Sequence, residues 1–383
     1  MALAINKLDN GLKRWEADWT TADGRRTRKR FSTKREAEDF LRSTVGSIRS
    51  GTFIDPRIAN KTTVGQLYAE WIERVRTIGA TGRKAASPKT VDNYRRFYEN
   101  YVGPRWSHTP LASVSYDDTA AWITTLVGRN GLPAGSTTRR EVALLFGRLM
   151  GYAVKRRLLA ANPTKDPLGQ TDYIPARDRQ RDHVYLTMPQ LTKLADQCDD
   201  FDLFVMLAGT CGLRWGEITA LKREDVTLGE RPSVSITRAY SEVNGQLILG
   251  STKGGESRTV PLPRLIAARL ERQWLSMATD TRLFSGARGS ALRNNTWTRR
   301  HYAPAIARLS ASDTTFPRPT FHDLRHTAVS LAISSGANVK VVQRIAGHAS
   351  ATMTLDTYAG LFDHDLHDSA GRLNAALSSL GWN

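Results

Sequence analysis

Arg214 lies in Gly209-Thr-Cys-Gly-Leu-Arg-Trp-Gly-Glu217, a glycine-rich end of an apolar stretch, with Glu217 three residues on. At that spacing a carboxylate can orient a guanidinium. The segment His322-Asp-Leu-Arg-His326 puts His322 and Arg325 three apart, so on a helix an imidazole and a guanidinium leave from one face. Ala346-Gly-His348 follows, and ten positions later comes Tyr358 in Thr352-Met-Thr-Leu-Asp-Thr-Tyr-Ala359. Lys253 stands between Ser251-Thr and Gly254-Gly255, on what reads as a tight connection between two strands, Gln246–Ser251 and Arg258–Leu262. Two arginines, histidines, a lysine and a phenol, without a cluster of metal-ligand spacing, suit chemistry on a phosphate. A guanidinium grips two non-bridging oxygens at once, and a loop lysine can hand a proton to a leaving oxygen. Each motif alone is commonplace on a protein surface; five of them in one chain are not.

The elements that must position these residues are legible in outline. From Leu12 to Phe31 a hairpin is expected: Trp15, Ala17 and Trp19 alternate with polar residues, Ala22-Asp-Gly24 supplies the turn, and Arg25, Arg26, Arg28, Lys29 and Arg30 fill the second strand. Alternation there exposes one set of cations on a face able to enter a groove. Thr33 with Glu36 forms a capping box ahead of a helix, closed by Gly51 and Pro56. Residues 62–165 turn helical: Thr63 with Gln66, Ser87-Pro88, Asp117–Val127 and Ser136–Leu159 mark four helices, with Arg95, Arg96, Arg139 and Arg140 on basic outer faces suited to a phosphate backbone. Residues 166–185, rich in Pro, Asp and Arg, read as a linker. Beyond it, Thr187-Met-Pro-Gln190 starts a helix, Phe201–Ala208 is a buried helix, and short strands are expected at Ser233–Arg238, Gln246–Ser251 and Arg258–Leu262 before helices take over. The fold class is therefore multidomain α+β: a small N-terminal β-sheet with one helix, a helical domain, and a mainly α domain with a small antiparallel sheet.

Composition narrows the partner. The 383 residues carry 55 Lys and Arg against 37 Asp and Glu, a formal charge of +18, which points to a polyanion. Residues 1–60 hold 13 basic and 8 acidic side chains, residues 61–170 hold 17 and 8, and residues 171–383 hold 25 and 21. The excess thus sits N-terminal to the motifs above. Cys198 and Cys211 are too few for a disulfide framework or a thiolate metal site, which suits a reducing cytosol. No signal peptide or membrane-spanning stretch is evident.

Taken in order, Arg214, Lys253, His322-x-x-Arg325, Gly347-His348 and Tyr358 resemble the active-site signature of the tyrosine recombinase (lambda-integrase-like) family over roughly residues 185–360. The resemblance implies Tyr358 as nucleophile, Arg214, Arg325 and His348 as phosphate binders, Lys253 as general acid and His322 as an acid/base partner. Glu217 matches the acidic residue that supports the first arginine. It further implies a 3′-phosphotyrosyl link and a free 5′-hydroxyl, so that bond energy is kept in the intermediate and neither metal, cofactor nor ATP is needed. Strand exchange then runs through a Holliday junction in a homotetramer. Ala346 departs from the leucine frequent in relatives.

More loosely, residues 62–165 resemble the core-binding domain and residues 1–57 the arm-binding domain of phage and mobile-element integrases, with residues 186–383 as the catalytic domain and its C-terminal tail. The partners implied are double-stranded DNA with attachment core and arm sites, a host DNA-bending protein and an excisionase, with no membrane, in the cytoplasm of a bacterial host. The tail carries Asp363, Asp365 and Asp368, then Leu373, Ala375, Ala376, Leu377 and Leu380 on a short amphipathic helix; in relatives such a tail packs on a neighbouring protomer, and folding back on its own domain is the other arrangement open to it. The integrase of a conjugative transposon or genomic island is the near alternative. A type IB topoisomerase and a catalytically inactive architectural protein are more distant, disfavoured by the arm-like domain and by the intact set of motifs respectively.

Overall fold

The computed structural model describes the chain apart from residues 1–3, 10–12, 21–25, 50–55, 178–181, 253–254, 275–280, 287–288, 349, 363–370, 372, 375–376 and 381–383. Near the N-terminus, β1 (Ala4–Asp9), β2 (Lys13–Thr20) and β3 (Arg26–Phe31) form an antiparallel sheet in the order β1-β2-β3, so the expected hairpin has a third strand. Helix α1 (Lys34–Arg49) opens on the expected capping box, with the Glu36 amide donating to Thr33 Oγ1 at 3.3 Å and the Thr33 amide to Glu36 Oε2 at 3.2 Å. Trp19 meets Phe40 of α1 edge-on at 5.2 Å. Glu16 and Asp18 are also buried, and the register explains how: Glu16 faces Arg30 and Asp18 faces Arg28 across the ladder. Arg26 donates to Asp18 at 2.6 Å, Arg28 lies 3.4 Å from Asp18, and Arg30 lies 3.3 Å from Glu16. The cationic face expected of this strand is therefore largely neutralised by its own neighbour. Lys29 sits instead 4.6 Å from the Phe40 ring, and Arg25 lies outside the described residues.

Next come α2 (Pro56–Lys61), α3 (Val64–Ile78), α4 (Pro88–Phe97), α5 (Gly103–Trp106), α6 (Tyr116–Thr124) and α7 (Ser136–Lys155). Thr63 and Gln66 make the capping box of α3, and Ser87 caps α4 with Pro88 in its first turn. One core unites Leu67, Trp71, Trp106, Phe146 and Leu149. Part of the expected linker is tied to the preceding residues: Tyr173 donates to the Thr164 carbonyl at 2.8 Å, and the Pro175 carbonyl accepts from Arg140 of α7 at 3.0 Å. The chain divides into two bodies after Gln180.

The second body begins with α8 (Met188–Asp196), capped by Thr187 and Gln190 as expected, and α9 (Asp202–Cys211), followed by the short α10 (Trp215–Ile218). Strands β4 (Val226–Thr227), β5 (Ser233–Ile236) and β8 (Arg258–Pro261) form one antiparallel sheet; β6 (Arg238–Val243) and β7 (Gln246–Ser251) form a separate ribbon. This corrects the expected hairpin around Lys253. Strand β7 pairs with β6 through an Asn244-Gly245 turn, both residues at positive φ (54° and 73°), the backbone that a tight hairpin demands. Strand β8 pairs with β5. Strands β7 and β8 thus belong to different sheets, and Lys253, between them in sequence, lies outside the described residues.

Helices α11 (Arg264–Trp274), α12 (Asn294–Trp297), α13 (Ala303–Ser312), α14 (Phe321–Ser334), α15 (Val339–Ala346) and α16 (Ala351–Phe362) complete the body. Of the tail, Asp363, Asp365, Asp368, Ala375 and Ala376 lie outside the described residues, and Leu373, Leu377 and Leu380 are exposed. Cys198 and Cys211 are free and buried, and burial pushes both thiols up to about 12. Among the described residues no helix is long and apolar enough to cross a membrane.

Candidate active site

An aromatic cluster brings the first two motifs together. Trp215 meets Phe321 edge-on at 4.9 Å, and both rest on Trp297 and Phe204. These contacts fix Arg214, one residue before Trp215, against the start of α14. That helix opens on a Thr320–Asp323 capping box, and the Thr327 hydroxyl accepts from the Leu186 amide at 3.1 Å. Residues 183–186 are thereby held along α14. Helix α9 ends on Gly212 in the left-handed conformation, φ 65°. The Gly212 carbonyl takes Arg325 Nη1 at 2.7 Å.

Glu217 is the carboxylate shared by two arginines. Its Oε1 accepts from Arg214 Nη1 at 2.9 Å, and its Oε2 from the Arg214 amide at 2.9 Å. Arg258 grips both oxygens, Nη1 to Oε1 at 2.9 Å and Nη2 to Oε2 at 2.7 Å. Arg258 escaped the sequence reading because its partner lies 41 residues away. Burial alone would raise the Glu217 carboxyl; the Arg258 hydrogen bonds and charge, with the Arg214 amide and charge, overcome it and hold the group at about 2. A carboxylate so depressed stabilises the fold fully above about pH 4.5, and that contribution drains away as pH falls towards about 2. We predict a steeper loss of urea stability over that window in the native protein than in Glu217→Gln; parallel curves would refute the linkage.

The end of α15 is satisfied carbonyl by carbonyl. Those of Gln343 and Arg344 accept from the amides of His348 and Gly347, both at 3.1 Å. The next three go to the three arginines: Ile345 to Arg258 Nε at 3.3 Å, Ala346 to Arg325 Nη2, and Gly347 to Arg214 Nη2 at 3.2 Å. Gly347 is in the left-handed region, φ 59°, and a Cβ there would stand 3.0 Å from the Arg258 side chain, so this close approach needs glycine.

Arg325 is 4% exposed. Burial, then the charge of Arg214, lowers it to about 9, although Glu217 acts in the opposite sense. A buried guanidinium bonded to neutral carbonyls is a cation short of an anion. His348 Nδ1 lies 2.9 Å from Thr354 Oγ1, and its ring is nearly parallel to that of Tyr358 at 6.2 Å. Burial followed by the charges of Arg325, Arg214 and Arg258 pushes His348 down to about 4. His322, on the first turn of α14, is exposed at the rim, and its pKa is lowered by partial desolvation and by Arg325. Tyr358 is 1% exposed, packed among Val329, Ile333, Val342 and Ala346. Its phenol is pushed up to about 12 by burial, against the pull of Arg325.

Arg214, His322, Arg325, His348 and Tyr358 are thus brought together, with Glu217 bonded to Arg214. One further member was missed: His326, whose Nδ1 lies 2.6 Å from the Tyr358 hydroxyl. Its position one residue after Arg325 was visible, but nothing local tells which side chain 32 residues on will meet it. The basic residues expected on the outer faces of residues 62–165 are held within their own unit. Arg95 pairs with Asp92 at 2.9 Å, Arg139 donates to the Thr124 carbonyl at 3.4 Å, and Arg140 is bound to Pro175, so these side chains have intramolecular tasks; Arg96 is also on α4. His183, Asp323 and His326 bring ligand-type atoms within 4.8 Å of one another. A metal centre fits them poorly: Asp323 Oδ2 is committed to Thr320, His326 Nδ1 to Tyr358, and the two imidazoles stack face to face at 3.7 Å.

Residues 185–364 match the phage integrase family. The chain is 24% identical over 371 residues to a putative prophage phiRv2 integrase of Mycobacterium tuberculosis, covering 92% of this chain and 89% of that protein. It is 26% identical over 334 residues to the tyrosine recombinase XerC of Bradyrhizobium diazoefficiens, covering 80% and 91%. Among solved structures, the integrase of the Tn1549 transposon in complex with a circular intermediate DNA matches with a TM-score of 0.63 at 19% identity, over 78% of this chain and 95% of that one. A lambda integrase dimer bound to a COC′ core site matches at 0.52 and 18% identity, over 93% of each chain. The fold is that of the tyrosine recombinases. Residues 185–364 carry a phage integrase family domain, and the chain is a tyrosine site-specific recombinase.

Proposed function

We propose that this recombinase integrates and excises a mobile genome by cutting DNA with Tyr358 and rejoining it through a 3′-phosphotyrosyl link. The observation that carries the reading is the buried, cationic Arg325, which with Arg214 and His348 frames an anion site beside the one phenol of the constellation. Guanidiniums at a site walled by apolar side chains stabilise the charge that builds on a phosphorane. Lys253, between β7 and β8 in sequence and assigned by resemblance, supplies the proton for the 5′-oxygen, and His322 at the rim assists proton transfer. Double-stranded DNA is the substrate, held at core sites by residues 62–165 and the catalytic domain, within a tetramer in the bacterial cytoplasm. Residues 1–57 read arm sites; a phosphate there must compete with Glu16 and Asp18 for Arg26, Arg28 and Arg30. A DNA-bending protein and an excisionase set direction.

The test is to trap the adduct on a nicked core-site substrate, digest it with trypsin and locate the DNA. It is expected on the peptide spanning residues 345–372, whose one tyrosine is Tyr358. DNA linked to any other peptide would overturn the assignment.

A further inference from the structure

We propose that His326 is a further catalytic residue of this recombinase, the acceptor that takes the proton of the Tyr358 phenol as it attacks, a role resting on the reading of Tyr358 as nucleophile. The geometry is specific. His326 Nδ1 stands 2.6 Å from the phenolic oxygen, both groups are buried, and the contact joins α14 to α16 inside the apolar cluster that seats Tyr358. A phenol pushed up to about 12 by burial has a negligible anionic fraction at neutral pH. Its proton must go somewhere in the step that forms the bond to phosphorus, and among the described residues His326 Nδ1 is the acceptor in hydrogen-bond contact with it.

The surroundings keep that acceptor ready. Besides burial, stacked His183 at 3.7 Å, His322 edge-on at 5.0 Å and Arg325 in the preceding position disfavour the imidazolium, while Asp323, one turn earlier on the same face, favours it. Burial is the largest influence, and the balance leaves His326 at about 4, neutral and able to accept. Asp323 then favours the charge as it forms through its electrostatic pull.

The step balances. The phenol O–H breaks towards Nδ1, with the other imidazole proton on Nε2; the Tyr358 oxygen bonds to phosphorus; the bond from phosphorus to the 5′-oxygen breaks, and that oxygen takes a proton from the general acid. In rejoining, the 5′-hydroxyl attacks phosphorus while its proton returns to the general acid, now acting as base, and the departing phenolate recovers its proton from His326. His322, exposed at the rim, is left free for the phosphate side of the reaction.

The experiment uses the full chain on a nicked core-site substrate and compares single-turnover cleavage in the native protein, His326→Gln and His326→Asn, each with ordinary tyrosine and with a fluorinated tyrosine at position 358 whose phenol ionises more readily. The amides preserve a hydrogen bond to the phenol but are far weaker proton acceptors. With ordinary tyrosine, cleavage is expected to slow on the order of 10²-fold in both variants, with DNA binding unchanged; with the fluorinated phenol the deficit shrinks, because less proton acceptance is required. A deficit of equal size with both phenols, or cleavage as fast as native or faster in the variants, overturns the proposal. Tyr358→Phe is run alongside: an adduct persisting there would sink the nucleophile reading itself, whereas its loss together with unaffected His326 variants sinks the present inference alone.

Discussion

Tyr358→Phe is expected to abolish the covalent protein–DNA adduct while leaving DNA binding within about twofold of native. The ring is fully buried among Val329, Ile333, Val342 and Ala346, so phenylalanine fills the same space. The structural loss is one hydrogen bond, that to His326, worth about 1 kcal/mol. The chemical loss is the attacking atom itself, for which removal of a nucleophile commonly costs on the order of 10⁴-fold or more. Stability and catalysis therefore separate cleanly, and a denaturing gel of a nicked substrate reads the second without interference from the first. An undiminished adduct in this variant would remove Tyr358 from the mechanism.

Arg325→Ala is expected to slow cleavage by on the order of 10²- to 10³-fold, the range for loss of one preorganised donor to a developing anion. The lysine variant is the sharper test. Arg325 reaches the Gly212 and Ala346 carbonyls with separate nitrogens, a fork that a single ammonium cannot reproduce. Burial and Arg214 already depress the guanidinium to about 9; a lysine begins some two units below arginine and would be driven towards neutrality in the same surroundings. Arg325→Lys should thus recover little of the lost rate near neutral pH. Recovery to within about threefold of native would show that the charge acts without the buried fork geometry.

Much of the fold could be read along the chain because its signals are local. Thr33 with Glu36, Thr63 with Gln66, Ser87 before Pro88 and Thr187 with Gln190 all cap helices in the structure, since the bonds a cap makes lie within three residues. The ribbon was harder: Asn244-Gly245 is a strong turn signal, but without Arg238–Val243 read as a strand, β7 had no partner except β8. The site divides along the same line. Residues whose chemistry is intrinsic, such as Arg214, Arg325, His348 and Tyr358, declare themselves by type and order. Arg258 and His326 acquire meaning only through partners 41 and 32 residues distant, and the arginines of β3 lose their apparent freedom to acids on the strand before. Periodicity shows a face; it does not show what already covers it.

The three successive carbonyls at the end of α15 bear on how DNA is greeted. An arginine on a bare surface samples many rotamers, and freezing each such side chain on association costs about 0.5–1.5 kcal/mol. Arg214, Arg258 and Arg325 are each moored to that helix end beforehand, so this disorder has been removed during folding. A helix C-terminus carries partial negative charge, which makes it a mild stand-in for a phosphate: attractive enough to comb the guanidiniums into register, yet weak enough to surrender them to a full anion. On this reading the ordering cost is met by the folded domain and not by the encounter with the crossover site.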